Sequence, residues 1–115
     1  MATITKQFLS NSTTGRGIKV AATGTAGTAI HSVGAAPDID EVWLWASNTD
    51  TSAIILTIEF GGTTGVDDTI VTTVAASSTE LVVPGLALGG ELHVKAFAGT
   101  ANKISIFGYV NRMDY

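Results

Sequence analysis

Across residues 41–48 the side chains alternate without a break: Val42, Leu44 and Ala46 fall on one parity, and Glu41, Trp43 and Trp45 on the other. A period of two is the mark of a half-buried β-strand, because successive side chains leave a pleated backbone on opposite faces. The same period returns at Leu56, Ile58 and Phe60, at Leu92, Val94 and Ala96, and at Ile104, Ile106 and Val110. No stretch repeats apolar residues at helical spacing for more than two turns, which leaves a helical bundle or an α/β layer without material. The expected fold class is therefore all-β, in a single domain.

Strands are expected over residues 18–23, 28–33, 41–48, 53–60, 69–74, 80–83, 91–98 and 103–111. The segments between them are rich in Gly, Pro, Asn and Asp, each of which favours a turn for its own steric or hydrogen-bonding reason. Pro84 follows Leu81, Val82 and Val83 and is expected to end its strand there, since proline cannot donate to a ladder. Eight short strands at this spacing pack most naturally as two four-stranded sheets, an antiparallel β-sandwich of jelly-roll or Greek-key kind over residues 18–115. Residues 1–17 are mostly Thr, Ser, Asn and Gly around Phe8 and Leu9, and read as an extended N-terminal arm that orders against a partner.

A chain of 115 residues removes roughly two thirds of its unfolded surface from water and needs no metal or disulfide to hold it. It has no cysteine, so thiol chemistry, disulfides and Cys-ligated zinc are excluded together. No apolar run approaches the roughly 20 residues of a membrane span, and no partner membrane is expected. Only 14% of residues are charged, against about 25% in an ordinary soluble domain, and the mean hydropathy is +0.36. A β-rich surface so short of charge tends to associate edge to edge unless copies or a partner cover it, which points to a homo-oligomer. The net charge of −4, with six scattered basic residues, offers no patch for phosphates, so direct nucleic-acid binding is not expected.

His31 and His93 each stand alone among strand residues, too few to assemble the three or four ligands of a zinc site. The acidic groups Asp38, Asp40 and Glu41, and Asp67 with Asp68, lack the ligand spacing of a calcium loop and read as solvated turn carboxylates. The paired glycines Gly61-Gly62 and Gly89-Gly90 are followed by strands, not by the helix N-terminus a phosphate loop needs. No Gly-x-Ser-x-Gly elbow is present. No catalytic residue, cofactor or metal site is expected, and the chain is read as a non-enzyme. Trp43 and Trp45, with Phe107 and Tyr109 at a second alternating run, either fill the core or form an outward contact face, and Glu41 on the tryptophans' parity tips them outward. Together with Phe8 and Leu9 they make up the candidate interface.

Three stretches resemble the small all-β decoration, or cement, proteins of tailed bacteriophage capsids. They are residues 56–62 (Leu-Thr-Ile-Glu-Phe-Gly-Gly), 81–86 (Leu-Val-Val-Pro-Gly-Leu) and 104–112 (Ile-Ser-Ile-Phe-Gly-Tyr-Val-Asn-Arg). The resemblance implies a structural virion protein, made in the host cytoplasm and placed on the capsid exterior. It would bridge neighbouring copies of the major capsid protein, commonly as a homotrimer. The alternative from the residues alone is a carbohydrate-binding or host-attachment module that uses the Trp43 and Trp45 face.

Overall fold

The alternation at residues 41–48 forms the middle of β4 (Ile39–Asn48), in which every even residue is buried and every odd one partly exposed. The computed structural model describes residues 3–114. Around β4 lie β1 (Thr3–Phe8), β2 (Ile18–Lys19), β3 (Thr28–Ser32), β5 (Ile54–Phe60), β6 (Thr69–Val74), β7 (Thr79–Gly89), β8 (His93–Ala98) and β9 (Ile104–Asp114), with one helical turn, α1 (Gly65–Asp68). Strands stand at all eight expected places.

One sheet has the order β1-β9-β4-β7, with β2 also pairing β9, and the other has the order β3-β8-β5-β6. Every pair is antiparallel. The pairs are nested: β5 joins β6, β4 joins β7, β3 joins β8, and β2 joins β9. One long hairpin rolled up on itself gives this connectivity, which is that of a jelly-roll-like sandwich.

Side chains from the inner faces of both sheets meet in a single core, which includes Val42, Leu44 and Ala46 of β4, Leu56 and Ile58 of β5, Val94 of β8, and Ile104, Ile106 and Val110 of β9. Each large aliphatic side chain so buried contributes about 1.5 to 3 kcal/mol. Gly108 lets β9 approach β4 within this framework, because a Cβ there would lie 2.0 Å from the Trp43 carbonyl oxygen.

Two expectations need correction. Residues 3–8 are not a free arm: they form β1 and pair along β9 from Thr3 with Asp114 to Phe8 with Tyr109. Beyond β1 the chain turns inward, and Leu9 is 1% exposed within the core. The pairing groups of β9 are what order this segment, since β1 itself is exposed along most of its length.

Pro84 does not end its strand either, because β7 runs on to Gly89. Its register against β4 shifts between Val42 and Trp43, and again between Leu44 and Trp45. Gly85, at φ +75°, is the extra residue of the first shift, a conformation open to glycine without steric cost. Proline is tolerated here because β7 is an edge strand.

Candidate functional site

The outward parity of the β1-β9-β4-β7 sheet carries five aromatic side chains in register. Phe8 of β1 pairs with Tyr109 of β9, which pairs with Trp43 of β4, so the three form one row across three strands. Phe107 pairs with Trp45 in the next row. On the other side of the aromatic row, Lys6, Asn111 and Glu41 stand in line.

Trp43 and Trp45 have ring centroids 6.4 Å apart and planes 21° apart. Tyr109 lies 6.4 Å from Trp43 and 6.0 Å from Trp45, again with near-parallel planes. The Lys6 ammonium sits 4.7 Å from the Tyr109 ring centroid, within range of a cation–π contact. Trp43 Nε1 donates to Glu41 Oε1 at 2.8 Å and Asn111 Nδ2 donates to the same oxygen at 3.0 Å. These two bonds hold the Glu41 carboxyl below the usual carboxylate range. Phe8 is 57% exposed and Phe107 41%, and Ile4 and Leu81 extend the apolar surface on either side. An open groove of about 820 Å³ runs beside the row, between Lys6, Phe8 and Tyr109 and the polar residues Ser10 and Thr13.

Of the six residues singled out in the sequence, Phe8, Trp43, Trp45, Phe107 and Tyr109 therefore share one face. Leu9 does not, because the chain crosses into the core at that residue. The tryptophans lie on the outer side of β4, opposite Val42 and Leu44.

A second cluster corrects the reading of Asp40 as a solvated turn carboxylate, because Asp40 lies within β4 and not in a turn. Asp40, on the inward parity of β4 and fully buried, accepts from Arg112 Nε at 2.7 Å and Nη2 at 2.8 Å. His31 Nε2 lies 2.6 Å from the same carboxylate. The Ser10 backbone N–H donates to His31 Nδ1 at 3.0 Å, so the ring proton sits on Nε2 and is given to Asp40.

Ser10 Oγ is 2.9 Å from Nδ1, which places serine, histidine and aspartate in one chain of contacts. Its geometry is that of a latch. The Nδ1 lone pair is taken by the Ser10 amide, while Ser10 Oγ accepts from Ser32 N–H and donates to Ser32 O. Asp40 is matched bidentately by Arg112, which leaves it less able to strengthen His31 as a base. Among the described residues no group of three or more His, Cys, Asp or Glu side chains is gathered to hold a metal ion.

Burial pushes the His31 pKa down against the opposing pull of Asp40. Burial alone would raise Asp40, but the hydrogen bonds from Arg112 and His31 outweigh it and hold that carboxyl low. Both groups thus bind protons less readily in the folded than in the unfolded chain, and both make stability fall as pH falls. The His31 contribution is complete above the unfolded value of about 6.5 and is lost from there towards its lower folded value. That of Asp40 is complete above about 3.9 and is lost as pH falls through its depressed folded value. Asp38, held high by desolvation and by the nearby Asp114, acts in the opposite sense at the surface. The melting temperature is expected to begin falling below about pH 6.5, and His31→Gln is expected to flatten that first part of the profile. A wild-type profile with no change between pH 7 and 5 would contradict the buried neutral imidazole.

No family model, curated protein or solved structure matches this chain.

Proposed function

We propose that this chain is a structural protein of a bacteriophage particle, a decoration protein that sits on the capsid exterior and bridges neighbouring copies of the major capsid protein. The observation that carries the reading is the outer face of the β1-β9-β4-β7 sheet, where Phe8, Tyr109 and Trp43 stand in one row beside Phe107 and Trp45. Half-exposed aromatic side chains packed on one another are the residues that dominate protein–protein contacts, and they lose little rotamer entropy when covered. Their support is rigid, since the strands beneath them form one wall of the core. The three sequence stretches that resemble capsid decoration proteins support the same reading, and residues 104–112 include Phe107 and Tyr109 from this face. A protein that binds only the assembled shell stabilises that shell by mass action, and needs no chemistry of its own.

The direct test is mass spectrometry of gradient-purified particles of the virus that encodes the chain, with and without mild protease treatment. The chain is expected at a fixed ratio to the major capsid protein and open to protease while the shell proteins stay intact. Its absence from the particles would overturn the reading.

A second reading is favoured by the groove beside Tyr109. An open concavity of about 820 Å³ with aromatic walls at Phe8 and Tyr109 and a hydroxyl at Thr13 has the make-up of a sugar site, which would make the chain a host-attachment module. Saturable binding of a glycan, abolished by Tyr109→Ala with the fold intact, would favour it.

A further inference from the structure

We infer that the outer face of the β1-β9-β4-β7 sheet is covered by a second copy of this chain, placed by a two-fold axis parallel to β9 so that Lys6 of each copy meets Glu41 of the other. The inference rests on the reading of this face as the assembly surface of a capsid-bound protein: it names a second copy as the occupant, and the paired form as the one that binds the shell.

β1 and β4 are the two neighbours of β9, so Lys6 and Glu41 flank Asn111 on opposite sides in a single row. Rotation about an axis leaves height along that axis unchanged. If the axis runs along β9 and the outer faces meet, each row of one copy confronts the same row of the other, with its two flanks exchanged. The positive end of the row then lies against the partner's negative end, and the contact occurs twice per pair of copies. In the neighbouring row the same operation sets Phe8 against the partner's Trp43 and brings the two Tyr109 rings together. A surface that matches itself under its own symmetry is what an isologous interface requires.

Charge bears this out. Lys6 has no carboxylate within ion-pair distance among the described residues, and its recorded contact is with the Tyr109 ring. Glu41 spends Oε1 on Trp43 and Asn111, and no described hydrogen bond occupies Oε2. Its carboxyl is held in the charged form that a partner lysine would meet. Edge-to-edge pairing along β7 is a poor competitor, because the two register shifts and Pro84 interrupt its free ladder groups. The face also exposes the apolar side chains of Ile4, Phe8, Leu81 and Phe107.

The test is multi-angle light scattering on the purified full chain, without capsid, at low salt. Wild type is expected at about twice the 11.8 kDa chain mass. Lys6→Glu and Glu41→Lys are each expected to weaken self-association at least about tenfold, and the double variant carrying both to restore it. Lys6→Glu leaves the Glu41 hydrogen bonds with Trp43 and Asn111 in place, so a fold defect in the other single variant cannot decide the outcome. A 1:1 mixture of the two single variants is expected to form the heterodimer, since in a two-fold pair each reversed side chain then meets an opposite charge.

A wild-type monomer, or reversal variants that associate as tightly as wild type, would overturn the inference. A wild-type monomer that still occupies capsids would overturn it while leaving the proposed function standing. Self-association in a chain absent from purified particles would uphold it and reject that function.

Discussion

Arg112→Ala is expected to lower the free energy of unfolding by about 3 to 5 kcal/mol, a large share of the stability of a domain this size. Arg112 holds both oxygens of Asp40, a carboxylate with no solvent exposure of its own. Removing the guanidinium leaves a buried charge with only the neutral His31 to donate to it, and the loss includes the cost of desolvating a carboxylate that no longer has a counter-ion. Arg112→Lys keeps the charge and gives up the two-pronged geometry, so its cost should fall between that of alanine and zero. Urea unfolding at pH 7.5 measures both, and the midpoint should shift with little change in slope. A loss below about 1 kcal/mol for Arg112→Ala would mean that Asp40 is solvated or protonated in the native state.

Leu9→Ala is expected to cost about 2 to 5 kcal/mol, the range for deleting a buried leucine side chain. Its neighbour supplies the control. Phe8 is 57% exposed while Leu9 is 1% exposed, so Phe8→Ala should change stability by no more than about 1 kcal/mol. The contrast between adjacent residues reports that the chain passes from the outer face of the sheet into the core at this point. Equal, small losses at both positions would restore residues 1–17 to the status of an arm. In the same segment the Ser10 amide and hydroxyl fasten the chain to His31 and Ser32, so the segment is tied by hydrogen bonds as well as by burial.

What could be read in the sequence was what burial writes there. The inner face of β4 excludes water on one parity only, and the residues of that strand record this directly in their alternation. Strand β1 leaves no such record: it is exposed on most residues of both parities, and its place is set by pairing with β9, about a hundred positions away in the chain. The continuation of β7 through Pro84 was hidden for a related reason, since proline's missing donor matters only if the strand has a neighbour on that side, and edge position is a property of the assembled sheet. The cluster of His31, Asp40 and Arg112 joins β3, β4 and β9, and sequence distance concealed it. One clue was available. Asp40 stands on the same parity as Val42, Leu44 and Ala46, and an acid on the buried side of a strand calls for a cation opposite. The aromatic face was the more legible part of the candidate site, because Glu41 shares the tryptophans' parity, whereas the groove beside Tyr109 depends on how residues 10–15 fold back and has no local signature.

If the aromatic face pairs the chain into the form that decorates a capsid, the purified chain added to bare shells of the phage that encodes it should bind them, with occupancy measured by mass spectrometry. Wild type should bind to saturation and raise the temperature at which the shells break. A Trp43→Ala/Trp45→Ala variant, shown to be folded by its far-ultraviolet circular dichroism, should leave the shells bare. Full occupancy by that variant, or no uptake of the wild-type chain, would contradict the claim.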